Sequence, residues 1–156
     1  MADLEQRLRA LEDREAIREL IASYGPLADC GAAQDAAALW SEDGRYGVAG
    51  FADATGRNEI AALINAPYHQ QLLTDGCAHM LGPVAIDLAD DSATARGHSV
   101  VLRWTGTAFE VLRVAANRWV LARSDSGWQV TRRDNALLQG DEAARELLRP
   151  WAGSPR

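Results

Sequence analysis

The sequence predicts an α+β fold, with helices packed on one face of a curved antiparallel sheet. Two observations lead to it. Apolar residues recur at helical spacing through the first third of the chain, then alternate at strand spacing from Cys77 onward. Turn signals such as Ala89-Asp90-Asp91-Ser92 and Ser124-Asp125-Ser126-Gly127 divide the second part into a meander. Helices followed by a run of strands is the α+β order.

The first helix is led in by Leu4, Leu8 and Leu11, starts as early as Asp3, and carries an apolar stripe of Ile17, Leu20, Ile21, Tyr24 and Leu27. Pro26 lacks the N–H that the helix ladder needs, so Gly25-Pro26 predicts a kink or tightening. After a break at Gly31, a second helix is closed by Leu39 and Trp40, and the polar run Ser41-Glu42-Asp43-Gly44 ends it. Residues 45–49 read as a short strand and 50–56 as a loop. Residues 58–64 read as a third helix, extended past Pro67 through Tyr68 to Leu73. Strands are predicted over 78–88, 94–104, 109–123 and 128–137, and a short terminal helix over 141–148. No repeat or linker interrupts the chain.

The composition sets limits on function. A chain of 156 residues, 47% hydrophobic and 24% charged, suits one domain over residues 1–150, with residues 151–156 a loose tail in which Trp151 is pinned to the body or to a neighbouring subunit. A net charge of −6 argues against nucleic acid as a partner. No apolar run reaches membrane-spanning length, and the charged N-terminus lacks a signal-peptide core, so a cytoplasmic protein with no membrane partner is expected. Cys30 and Cys77 have no metal-type spacing and read as free thiols. The sequence contains no lysine, which removes Schiff-base chemistry, lysine bases and the P-loop.

The stretch Leu11–Asp43, with "DREAIRELI" followed by Tyr24, Asp29, Gly31, Trp40 and Asp43, resembles the opening of the SnoaL-like branch of the NTF2-like superfamily. The closing SGWQVTRRDNAL resembles that branch's "GWxxxxR" ending, with Arg133 as the matching arginine. The chain departs from the pattern at Gly25-Pro26 and in having Ala32 and Ala33 after Gly31. The resemblance implies a cone whose sheet wraps around a pocket roofed by the N-terminal helices. It also implies that His79 pairs with Asp29, with Arg133 across the cavity, as in scytalone dehydratases and dehydrochlorinases.

Chemically, a neutral imidazole in an apolar cavity can accept a proton, and a carboxylate on its other nitrogen fixes the tautomer and stabilises the imidazolium. Such a base contributes roughly 10²–10⁴-fold. Arg133 is suited to hold a developing oxyanion or leaving group, and Tyr24 to donate to a substrate oxygen. Taken singly, each residue has an ordinary reading: a helix-end carboxylate, a satisfied strand histidine, a solvated arginine. On an ideal helix Asp29 lies about 140° from Tyr24, so phase alone does not turn both inward. Only the resemblance groups them. Arg132 should face away from Arg133, because the strand period is two.

His98, Val100, Leu102 and Trp104 share a strand face, taken here as the cavity side, with Tyr46 and Trp119 as further pocket walls. His69 reads as a surface residue. No histidine pair has a ligand spacing, so no metal or other cofactor is expected. Three functional readings follow. One is a lyase, a dehydratase or dehydrohalogenase in which His79 removes a proton from a mostly apolar, ring-like small molecule. The second is an isomerase or cyclase acting on a steroid-like or polyketide-like ring. The third is a non-catalytic binding protein or accessory subunit of the same fold. Apolar residues such as Val111, Val120 and Val130, read as the outer sheet face, predict a homo-oligomer, a trimer or a dimer.

Overall fold

The computed structural model describes residues 3–150, so the expectations for residues 151–156 fall outside the described residues. The elements in chain order are α1 (Leu4–Asp29), α2 (Ala33–Ala37), β1 (Trp40–Val48), β2 (Ala52–Thr55), α3 (Arg57–Asn65) and α4 (Pro67–Asp75). They continue with β3 (Cys77–Leu81), β4 (Ala85–Ala89), β5 (Ser92–Trp104), β6 (Phe109–Ser124), β7 (Gly127–Leu137) and α5 (Glu142–Leu148). The strands form one curved, unclosed sheet in the order β2-β1-β7-β6-β5-β3, with β4 also paired to β5. Every pairing is antiparallel except β1 with β7, which is parallel.

α1 begins at the early bound that the sequence allows, and Asp3 caps it: its carboxylate accepts from the Gln6 N–H at 3.1 Å. Ile17, Ile21, Tyr24 and Ala28 are buried against the sheet. Leu4, Leu8 and Leu11 remain exposed, because the first turns lead in from outside the core. The helix runs through Pro26 to Asp29. The proline deprives only the carbonyl of Ala22, an exposed residue that water can serve, so the proline ends nothing.

Several boundaries differ from the sequence reading, each for a tertiary reason. Trp40 opens β1 instead of closing α2, and its fully buried indole donates to the Arg45 carbonyl at 3.2 Å across an irregularity in the β1–β7 register. The supposed loop after β1 contains β2, a short edge strand paired back on β1. Pro67 starts a separate helix, α4, at a position where its missing N–H costs nothing. The strand expected over 78–88 is two strands, broken between Leu81 and Ala85 where Gly82-Pro83 intervenes. Val130 is fully buried in the core, not on the outer face, because β7 turns its even residues from 128 to 130 inward before a register shift. Val111 lies outside, 63% exposed.

Candidate active site

The site is built where α1 crosses β3. A methyl group added at Gly25 would lie 2.2 Å from the carbonyl oxygen of His79, so only glycine lets the helix press this closely on the strand. One turn later the Asp29 carboxylate reaches the same residue. Its Oδ2 accepts the His79 backbone N–H at 2.8 Å, and its Oδ1 takes the ring Nδ1 at 2.6 Å. The Cys77 thiol donates to Oδ1 at 3.6 Å. Burial works to raise the Asp29 pKa, but the ring and backbone hydrogen bonds of His79 outweigh it and hold the carboxyl below its ordinary value. The carboxylate is therefore ionised, which puts the neutral His79 proton on Nδ1 and leaves Nε2 as the ring nitrogen available to a ligand. Burial, followed by the Asp29 charge, pushes the Cys77 thiol up to about 11, so it stays a protonated donor. The ligand atoms of Asp29, Cys77 and His79 lie within 4.8 Å of one another. Their mutual hydrogen bonds make the group a proton-sharing cluster around one carboxylate.

His79 lines a cavity of about 850 Å³, counting its open mouth. Leu63, Ile64 and Leu72 from α3 and α4, together with Val48 and Val101, supply apolar walls. Phe51, Tyr68 and Arg113 stand at the lining where exposure is greatest or partial.

The other polar wall lies on β1, β7 and β6. Register places Tyr46 beside Arg133 and Arg133 beside Trp119. The Arg133 guanidinium is 2% exposed and packed among three aromatic rings, at 4.1 Å from Trp119, 4.3 Å from Tyr24 and 4.7 Å from Tyr46. Asn117 Oδ1 accepts from its Nε at 3.0 Å and its Nη2 at 2.8 Å. The same oxygen accepts from Asn135 Nδ2 at 3.0 Å, while Asn117 Nδ2 donates to Ser99 Oγ at 2.8 Å. Arg133 Nη1, Asn135 Oδ1 and Trp119 Nε1 are buried without a hydrogen-bond partner. Burial, then Tyr46, holds the Tyr24 phenol above its ordinary value, against the pull of Arg133.

The structure brings Asp29 to His79 and places Tyr24, Tyr46, Val100 and Arg133 around the same cavity. Arg132 points to the opposite face, where Asp134 pairs with it at 2.6 Å. Trp119 does not line the cavity but backs Arg133. The expectation that His98, Leu102 and Trp104 face the cavity is corrected. On β5 the odd residues Ala93, Ala95, Ser99 and Val101 are buried, so His98 is exposed on the other side and Trp104 packs on Phe109 outside, ring centroids 5.0 Å apart.

His69 is also corrected, in the opposite sense. It lines the cavity with its ring 5.2 Å from that of His79, and its Nε2 donates to the Ala28 carbonyl at 3.0 Å. The signal was its three-residue spacing from Leu72, which puts both on the inner face of α4. Ser99, Asn117 and Asn135 were missed as well. Their mark is a polar side chain at inward strand parity, where polar atoms need partners.

Residues 9–134 match the model of the SnoaL-like domain. An NTF2-like protein with a cystatin-like fold from Novosphingobium aromaticivorans is 56% identical, with a TM-score of 0.92 over 96% of this chain and 99% of that one. Two more distant structures share the fold. A candidate scytalone dehydratase from the same organism is 20% identical, with a TM-score of 0.70 over 83% of this chain and 87% of that one. A Catenulispora acidiphila protein in complex with S-DNPA is 23% identical, with a TM-score of 0.70 over 83% and 94%. No curated protein matches the chain.

Proposed function

The chain belongs to the SnoaL-like family of the NTF2-like superfamily, and we propose that it is a small-molecule lyase that needs no cofactor for its chemistry. His79 Nε2 removes a proton next to an electron-withdrawing group of a ring-bearing substrate, and water or halide leaves. Asp29 holds the ring and stabilises the imidazolium that forms. Arg133 stabilises the negative charge that grows on the activating group, in a site where water is largely displaced. The observation that carries this reading is the 2.6 Å contact of His79 Nδ1 with Asp29 on one wall of a cavity that also holds Arg133. The distant neighbours, one bound to a small molecule and one a candidate dehydratase, agree with a ligand-taking cavity on this fold.

The test is to find a substrate among hydroxylated and halogenated ring compounds that stabilise the fold, and then to follow turnover. His79→Ala should abolish turnover while leaving the melting temperature nearly unchanged. Release of water or halide identifies elimination, and an isomeric product identifies an isomerase or cyclase using the same base. Ligand binding without turnover would leave a binding protein, and turnover unaltered in His79→Ala would assign the chemistry to another base.

The protein is further proposed to assemble as a dimer or trimer. Phe109, Val111 and Val114 on β6 and Met80 on β3 are 62%, 63%, 41% and 58% exposed, an apolar strip of the kind that interfaces cover. Sedimentation as a monomer at micromolar concentration would refute the assembly.

A further inference from the structure

The cavity carries a charge balance opposite to that of the chain. The sequence has 22 acidic and 16 basic residues, yet among the described residues no Asp or Glu lines the cavity, whereas Arg113 and Arg133 do. Arg133 forms no ion pair with any carboxylate of the described residues, while its strand neighbour Arg132 is paired with Asp134. Its guanidinium is held by the neutral Asn117 oxygen and three ring faces, which leaves Nη1 buried without an acceptor beside the cavity that Arg133 lines. A buried cation is ordinarily paired. The candidates for a counter-charge within the protein are otherwise engaged. Asp29 already accepts from the His79 ring, the His79 backbone and the Cys77 thiol. Tyr24, against the guanidinium face, is kept a neutral phenol by its burial. At the outer end, Arg113 packs over Phe51 at 5.8 Å and adds a second positive charge on the path inward.

We propose that the substrate of this site is an anion, a ring compound bearing a carboxylate, and that the ligand itself supplies the missing counter-charge of Arg133. The proposal rests on the reading of the cavity as a substrate site. The carboxylate accepts from Arg133 Nη1 in a charge-assisted bond, and the ring lies against Leu63, Ile64 and Leu72. Asn135 Oδ1, buried without a donor on the same wall, takes a hydroxyl of the ligand and not its carboxylate. Such a ligand explains why a chain rich in acidic residues keeps all of them off this surface. It also explains why the cation is wedged between aromatic rings instead of being neutralised by a glutamate or aspartate, which would occupy the place of the ligand.

The test uses two probes of one shape, 2-naphthoate and 2-naphthamide, titrated calorimetrically into the wild-type protein at neutral pH. The acid should bind at least about tenfold tighter than the amide. In Arg133→Gln the two affinities should become similar, with the amide little changed. In Arg113→Gln the preference should shrink by a factor of about two to three, more at low salt than at high salt. If Arg133→Gln does not fold, the comparison of the two probes in the wild-type protein and in Arg113→Gln still decides the matter. Equal binding, tighter binding of the amide, or binding of neither probe overturns the proposal. The lyase reading fails separately. His79→Ala should keep the preference for the acid, and a protein that prefers acids but turns nothing over would refute the lyase and leave the anion site standing.

Discussion

The two polar walls of the cavity are built on opposite terms. Where α1 meets β3, the polar groups meet one another: one carboxylate takes a ring N–H, a backbone N–H and a thiol. On the β1–β7–β6 wall, a buried guanidinium shares one amide oxygen with Asn135, and three buried polar atoms have no partner. The first wall is complete without a ligand and sets the direction of one imidazole. The second is incomplete: Arg133 Nη1 and Asn135 Oδ1, of residues that line the cavity, have no partner within the protein, and leaving such groups unmet is costly. A satisfied corner fixes a reactive group, and an unsatisfied wall holds a place for a ligand.

That contrast predicts where substitutions hurt most. Asn117→Leu removes the acceptor that, among the described residues, serves the Arg133 Nε and Nη2 donors, and should cost about 3–5 kcal/mol in urea unfolding, because it strands a buried charge. Gly25→Ala should come next, about 3 kcal/mol, since the new methyl group meets backbone that cannot rotate away. Its loss should also separate Asp29 from His79, seen as faster hydrogen exchange at the His79 amide. If Gly25→Ala is neutral, α1 does not press on β3 as described.

The acid limb of stability sharpens the comparison further. Asp29 and Asp13 both have carboxyls held below their ordinary values. For Asp29, burial opposes the shift and the His79 bonds prevail. For Asp13, the Arg123 hydrogen bond leads, with Trp128 adding to it. A carboxyl depressed in the fold stabilises fully above its unfolded value, about 3.9, and that stabilisation is lost as pH falls through the folded value. The melting temperature should therefore be flat above about pH 5 and fall below about pH 4. Asp29→Asn should lower the plateau and remove part of the fall. The smallest effect belongs to Cys77→Ser, within about 0.5 kcal/mol, because a hydroxyl donates to Asp29 as the thiol does.

The sequence and the structure agree where local signals act alone. α1 starts as early as Asp3 allows, the 3.6-residue stripe buries Ile17, Ile21 and Tyr24, and period two separates Arg132 from Arg133. They part where tertiary contact decides. Gly25-Pro26 reads as a break, yet the glycine is there for the approach of β3 and the proline is tolerated where water serves the freed carbonyl. Strand parity tells which residues share a face but not which face turns inward, so His98, Leu102 and Trp104 read as cavity residues although they lie outside. His69 and Asn117 are polar residues at inward positions, and only the positions of Ala28 and Arg133 in space reveal what they bond.

The central claim is that Asp29 holds His79 as a base with Nε2 free toward the cavity, and the tautomer of His79 tests it without a substrate. Long-range ¹H–¹⁵N correlation of the imidazole at a pH where it is neutral should show the proton on Nδ1, with a strongly deshielded N–H shared with a carboxylate. In Asp29→Asn that deshielding should vanish and the Nε2–H form should become populated. A wild-type His79 carrying its neutral proton on Nε2, or a tautomer unchanged by Asp29→Asn, would contradict the account.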